Sequence, residues 1–176
     1  MHDVTFKICI FGDGGVGKTT LLRRYVSGEF ILDTKVTVGV DIAVKEVEIE
    51  GSLIRLQIWD FGGEERFRFL LPAYGRGSSG GIFMFDITRL STLDNVDEWL
   101  EVFRKEQLGT FKAPLVIVGG KSDLIEEKQI FHKEGLKIAR KHKFAHYFEC
   151  SSLTGDNVIL IFETLVREIM KSKGFI

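Results

Sequence analysis

The densest chemistry in this chain lies between Gly12 and Thr20. Four glycines (Gly12, Gly14, Gly15 and Gly17) surround Asp13 and Val16 and lead into Lys18, Thr19 and Thr20. Glycine costs backbone entropy on folding, so such density means that main chain must come close to something. The spacing G-x-x-x-x-G-K-[ST] lets backbone N–H groups curl around phosphate oxygens, brings a lysine charge to the terminal phosphates and offers the Thr19 hydroxyl to Mg²⁺. The segment follows an apolar run and opens a helical pattern, so a helix N-terminus adds partial positive charge. A second candidate is Asp60, which ends the apolar run "LQIWD". A carboxylate there can hold Mg²⁺, often through water. Gly62 and Gly63 follow it, with backbone N–H groups free to reach a terminal phosphate.

These residues need elements to position them. Apolar runs over 4–11, 40–50, 53–60, 80–88 and 113–120, with a short one at 146–149, read as six strands. Period-two alternation from Ile42 to Ile49, with a turn at Gly51 and Ser52, makes 40–50 and 53–60 an antiparallel pair. Helical patterns cover 17–28, 91–108, 131–142 and 156–171, the second with Ser91 as N-cap and Asp94 three residues on. Alternating strands and helices imply a three-layer α/β fold with a mostly parallel six-stranded sheet, one antiparallel edge strand and helices on both faces. Ligands of such sheets bind beyond the carboxyl ends of the strands, where the two motifs fall.

The totals fit one domain over 1–176: 176 residues, 44% hydrophobic and 28% charged. A formal net charge of −1 argues against non-specific nucleic-acid binding, which needs a basic face. Cys9 and Cys150 match no metal spacing and no disulfide framework, which points to a reducing compartment. His2, His132, His142 and His146 share no ligand spacing and read as surface residues. No signal peptide or apolar run of transmembrane length is evident, so a cytoplasmic location is expected. The chain ends "KSKGFI" without a C-terminal cysteine motif. Three readings stay open there: a shortened chain, a soluble protein, or peripheral membrane contact through a missing tail or a partner.

"GDGGVGKTT", "TVGVD" (37–41), "WDFGGEERF" (59–67), "GGKSD" (119–123) and "ECSS" (149–152) occur in order, and together they resemble a small GTPase of the Ras superfamily, most similar to the Rab branch. The run "DFGGEERFRFLLP" also resembles Ras-like proteins of archaeal type. The resemblance spans 4–171 and implies a P-loop NTPase fold (a G domain). It implies GTP or GDP as ligand, Mg²⁺ as cofactor and hydrolysis of GTP to GDP. Gly14, Gly15, Val16, Gly17, Lys18, Thr19 and Thr20 match the phosphate loop. Thr37 matches the switch I threonine, whose hydroxyl meets Mg²⁺ beside Thr19 and Asp60. Gly63 matches the switch II glycine that bonds the terminal phosphate. Phe30 matches the aromatic that packs on guanine, Lys121 the lysine that flanks it and Asp123 the carboxylate that reads it. Ser151, Ser152 and Leu153 lie in the loop over the guanine carbonyl oxygen. The choice of base also follows from chemistry. An ionised carboxylate only accepts, guanine presents N1–H beside an amine, and adenine does not.

Four departures from that pattern matter. Glu64 stands where most relatives have a glutamine that orients the attacking water. At ~5 Å and an effective dielectric of ~20, its repulsion from a phosphate charge is roughly 3 kcal/mol. Glu64 is therefore expected to turn toward Arg66 or Arg68, or to take up a proton, and intrinsic hydrolysis to be slow. With Lys18, Thr37 and Gly63 it completes the expected catalytic set; a general-base role competes with the slow reading. Gly120 replaces an asparagine that bridges base and phosphate loop, which implies weaker nucleotide retention by ~1–2 kcal/mol. Thr34 and Lys35 replace residues that cover the phosphates. Phe61 and Gly62 replace a Thr–Ala pair, Gly62 adding freedom. Effectors, an activating protein and an exchange factor are expected through residues 34–45 and 61–76. The set Trp59, Phe67, Phe69, Leu70, Leu71 and Tyr74 is the aromatic and apolar part of that surface. Gly14 leaves room for an arginine supplied by another protein. Two rivals stand beside the GTPase reading: a nucleotide-gated scaffold with little or no hydrolysis, and a P-loop kinase or ATPase, against which Asp123 argues.

Overall fold

The computed structural model describes residues 4–32, 35–105, 107 and 112–176. Strands β1 (Val4–Phe11), β2 (Val40–Ile49), β3 (Ser52–Phe61), β4 (Gly80–Asp86), β5 (Leu115–Gly120) and β6 (His146–Glu149) form one sheet in the order β2-β3-β1-β4-β5-β6. Only β2 runs antiparallel, paired to β3 from Val40–Phe61 to Ile49–Ser52. The helices are α1 (Lys18–Ser27), α2 (Leu70–Gly75), α3 (Ser91–Asp94), α4 (Val96–Arg104), α5 (His132–Lys141) and α6 (Val158–Ser172).

The strand sequences explain the three layers. In β4, Ile82 and Met84 join one core while Phe83 and Phe85 join the other, and all four are buried. In β5, Val116 and Val118 face the first core and Leu115 and Ile117 the second. Period-two side chains that are apolar on both faces require cover on both faces. One cover is α1 with α6, where the Tyr25 and Phe162 rings stack at 3.8 Å. The other side carries Leu93, Val96, Trp99, Phe103 and Ala139 from α3, α4 and α5.

Element boundaries differ from expectation mainly at the sheet's second cover. The single helix expected over 91–108 is interrupted at Asn95 (φ −82°, ψ 8°), dividing α3 from α4. At this break the Asn95 side-chain amide donates to the Asp13 carboxylate at 2.7 Å. Ser91 is not an N-cap. Leu90 holds that position in helical geometry, with no side-chain cap bond. Residues 106 and 108 lie outside the described residues. The short α2 and the 3₁₀ turns at Glu65–Phe67 and Ile125–Glu127 carried no periodic signal long enough to announce them. At α5 the Glu134 carboxylate accepts the Phe131 N–H at 2.7 Å, which fixes that helix start.

Candidate nucleotide site

The first functional loop joins β1 to α1 along the carboxyl edge of the sheet. Its shape depends on close approach. Gly12 has φ +143°, and a Cβ there would stand 2.1 Å from the Met84 carbonyl oxygen. No other residue fits that backbone against β4. The loop then turns through Gly15 (φ +72°) and Gly17 (φ +102°) into α1. Lys18 is buried, and its Nζ donates back to the Gly12 and Asp13 carbonyls at 2.8 and 2.7 Å. Burial pulls the Lys18 ammonium down to about 8, with Asp60 and Asp13 pulling the other way.

Around this loop lies a hollow of about 530 Å³ whose walls include Gly14, Gly15, Gly17, Lys18, Thr19, Thr20, Thr37, Gly63 and Glu64. Three oxygen-bearing side chains meet beside it from three separate elements. The Thr19 hydroxyl lies 2.7 Å from that of Thr37 and donates to Asp60 Oδ2 at 2.5 Å. Asp60 is fully buried, and its Oδ1 has no hydrogen-bond partner among the described residues. Burial pushes the Asp60 carboxyl up to about 6, against the Thr19 hydrogen bond and the Lys18 charge, which lower it. A buried carboxylate oxygen without a partner, next to two hydroxyls, is a donor set suited to a hard divalent cation.

A second cleft of about 290 Å³ adjoins the first, lined by Val16, Gly17, Thr20, Phe30, Leu32, Met84, Lys121, Asp123, Leu124, Ser152 and Leu153. Asp123 is oriented by Ser151, a buried residue whose Oγ donates to Asp123 Oδ1 at 2.7 Å. The Ser151 hydroxyl also accepts the Thr154 N–H at 3.1 Å. Lys121 has φ +65°, and its Nζ meets Asp86 Oδ2 at 2.7 Å. Every expected nucleotide-site residue therefore lies on one of two adjoining hollows, apart from Asp60 and Ser151, which stand immediately behind them.

Glu64 stands at the wall of the first hollow, and its carboxylate accepts from Arg66 Nε at 2.6 Å, one of the two partners expected for it. Arg68 takes other partners, pairing with Glu98 and, at 3.4 Å, with Asp13. Gly62 is not a point of freedom. Its N–H donates to Gly39 O at 2.8 Å, and a Cβ there would stand 2.5 Å from the Thr37 carbonyl oxygen. The glycine is required because the two loops touch at this point. Phe61 is buried among Phe11 and Leu71 in the second core. Leu71, expected on a partner surface, is fully buried, whereas Phe69 (70%) and Tyr74 (47%) are exposed. Thr34 lies outside the described residues. His142 is also less exposed than expected, its side chain 10% exposed beside Asp97.

Sequence reasoning missed two groups here. Asp13, inside the glycine loop, accepts from Trp99 Nε1 at 2.8 Å and from Asn95 Nδ2 at 2.7 Å. Arg89 pairs with Asp86 at 3.2 Å and donates to Gly14 O at 3.0 Å. The bonds of Asp13 to Trp99 and Asn95 and of Arg89 to Gly14 join residues more than 70 positions apart, so no local signal could have found them; only the Arg89–Asp86 pair is local, three positions apart.

A profile described as Ras family matches residues 7–171. The chain is similar to Ras-related protein RABA2c of Arabidopsis thaliana, 38% identical over 168 residues, covering 96% of this chain and 76% of the relative. It is similar at 36% to Ras-related protein Rab2BV of Beta vulgaris, covering 96% of this chain and 77% of the relative. The same figures hold for Ras-related protein Rab-11A of Dictyostelium discoideum. These relatives lend no support to the likeness with archaeal proteins. Together with the six-stranded sheet and its glycine loop, the matches identify the chain as a member of the Ras family, a Rab-like small GTPase.

Proposed function

We propose that the chain binds Mg²⁺–GTP across the two hollows, hydrolyses it slowly and presents the difference between GTP and GDP to protein partners. The observation that carries this reading is the convergence of Thr19, Thr37 and the unpartnered Asp60 oxygen beside Lys18. Thr19, Thr37 and Asp60 would hold Mg²⁺, directly or through water, and the ion would offset charge on the phosphate oxygens. Lys18 and the N–H groups of Gly14 through Thr20, with that of Gly63, would cradle the phosphates. Asp123 would accept from the guanine N1–H and amine, Phe30 and Lys121 would flank the ring, and Ser151 to Leu153 would close over its carbonyl oxygen.

Slow hydrolysis follows from Glu64. Paired through one oxygen with Arg66, and unable to donate to a water as an amide does, the carboxylate is a poorer guide for the attacking water; the exposed pair itself contributes only about 0–1 kcal/mol. Single-turnover rates of Glu64→Gln and Glu64→Ala test this. Faster hydrolysis in the glutamine variant is expected, and abolition in both would make Glu64 a base instead. The same pair favours the scaffold reading, and multiple-turnover phosphate release separates the two. The partner surface would run along the free edge strand β2, where Ile42 and Val44 are each over half exposed. It would continue through Val38 and Phe69, at 72% and 70%. Among the described residues no helix is long and apolar enough to cross a membrane.

A further inference from the structure

The segment that follows β4 reaches back to the glycine loop through one side chain. Arg89 donates from Nη2 to the Gly14 carbonyl oxygen at 3.0 Å and from Nε to Asp86 Oδ2 at 3.2 Å. Asp86 is buried at the carboxyl end of β4. It also takes the Lys121 ammonium at 2.7 Å and the Thr88 N–H and hydroxyl at 2.9 and 2.6 Å. A buried carboxylate held from so many sides is a fixed post. Two contacts on one planar guanidinium then set the direction in which its remaining nitrogen points.

The contact matters through the peptide it touches. The Gly14 carbonyl and the Gly15 N–H belong to one trans peptide unit, in which the two groups point in opposite directions. A guanidinium on the oxygen therefore leaves the N–H directed away from itself. Gly14 and Gly15 both form walls of the phosphate hollow. No described residue accepts the Gly15 N–H. A cation on a carbonyl oxygen draws electron density along the amide. The N–H at the other end becomes a stronger donor, because hydrogen bonds in a chain polarise one another.

We propose that Arg89 is a positioning residue for the phosphate site: anchored on Asp86, it fixes and polarises the Gly14–Gly15 peptide, so that the Gly15 N–H binds a nucleotide's phosphate oxygens more tightly. The inference rests on the guanine-nucleotide reading above. Arg89 acts through the peptide and not by touching the ligand. The same Asp86 carboxylate holds Lys121, which lines the base cleft. One buried acid at the end of β4 thereby ties a cation to each of the two hollows.

Arg89→Gln and Arg89→Lys in the full chain test the proposal, by calorimetry with Mg²⁺ and GDP and by the Gly15 amide resonance in ¹H–¹⁵N spectra of the GDP complex. Glutamine removes the charge, and lysine keeps it. Arg89 is half-exposed, and Asp86 retains Lys121 and Thr88 in either variant, so both should fold. Arg89→Gln should bind GDP about three- to tenfold more weakly, and Arg89→Lys within about twofold of wild type. The Gly15 amide proton should move upfield in Arg89→Gln, which a merely structural brace would not require. Unchanged affinity in Arg89→Gln, equal losses in both variants, or a Gly15 resonance that stays in place would overturn the proposal. No GDP binding by the wild-type chain would remove the guanine-nucleotide reading, and this inference with it. Wild-type binding that Arg89→Gln leaves unaltered removes this inference only.

Discussion

Removing the Asp13 carboxylate should cost more stability than its place in a loop suggests. The carboxylate is 18% exposed and accepts two side-chain hydrogen bonds, from Trp99 Nε1 at 2.8 Å and Asn95 Nδ2 at 2.7 Å. Arg68, which also lies over the Trp99 ring at 4.7 Å, adds a looser contact at 3.4 Å. Hydrogen bonds to a charged group contribute about 1.5–3 kcal/mol each. Asn95 is partly exposed and would recover water, but Trp99 is fully buried and would keep an unpaired N–H. Asp13→Ala is therefore expected to destabilise the chain by about 3 kcal/mol, about 6–12 °C in Tm for a domain of this size. Urea titration of four proteins, wild type, Asp13→Ala, Trp99→Phe and the double variant, isolates the contact. Phenylalanine removes the donor, so Asp13→Ala should cost about 1–2 kcal/mol less in that background. Strict additivity would refute the claim that the indole hydrogen bond holds the glycine loop to α4.

Asp60→Ala should abolish most of the difference in GDP affinity between Mg²⁺ and chelator, roughly 10–100-fold by analogy with supporting residues of other metal sites, while leaving affinity in chelator nearly unchanged; calorimetry under both conditions checks it. Gly12→Ala should prevent normal folding because its Cβ meets a backbone oxygen at 2.1 Å, whereas Gly28→Ala, with φ +77° and nothing within 4 Å, should cost only about 1 kcal/mol. Circular dichroism melts separate these outcomes. Burial raises the Asp86 carboxyl, but Lys121 and Thr88 outweigh it and hold it below its ordinary 3.8. A depressed folded value contributes stability that is present above the unfolded value and lost as pH falls through the folded one. Acid titration of Asp86→Asn should show a shallower stability loss below about pH 4 than wild type.

How much was legible depended on how local the signal was. The P-loop could be read because glycine spacing, a preceding strand and a following helix all lie within about twenty residues. The sheet was legible because β4 and β5 are apolar on both faces, which only a covered parallel strand requires. The α3–α4 break was not: it falls at Asn95, whose side-chain partner Asp13 is 82 positions away. Gly62 was misread for a related reason. Beside Gly63 it looked like added freedom, yet it is fixed by the Thr37 and Gly39 backbones of a distant loop. Nothing in the structure explains Phe61 beyond core packing.

The glycine contacts also bear on how the loops around a nucleotide could respond as a unit. A Cβ on Gly63 would stand 2.3 Å from Gly14 N and 2.4 Å from the Asp13 carbonyl carbon. The segment after β3 thus lies backbone to backbone on the glycine loop, with Gly62 doing the same to the loop of Thr37. Backbone contacts of this kind have no side chain to swing aside, and packed interfaces shift between arrangements rather than deform smoothly. A phosphate drawing in the Gly63 N–H would then act on Thr37 through Gly62. It would act on α4 through Asp13, with Arg68 clasped between Asp13 and Glu98. On this geometry the two glycines are the joints, and the exposed apolar residues Val38 and Phe69 ride on the segments they connect.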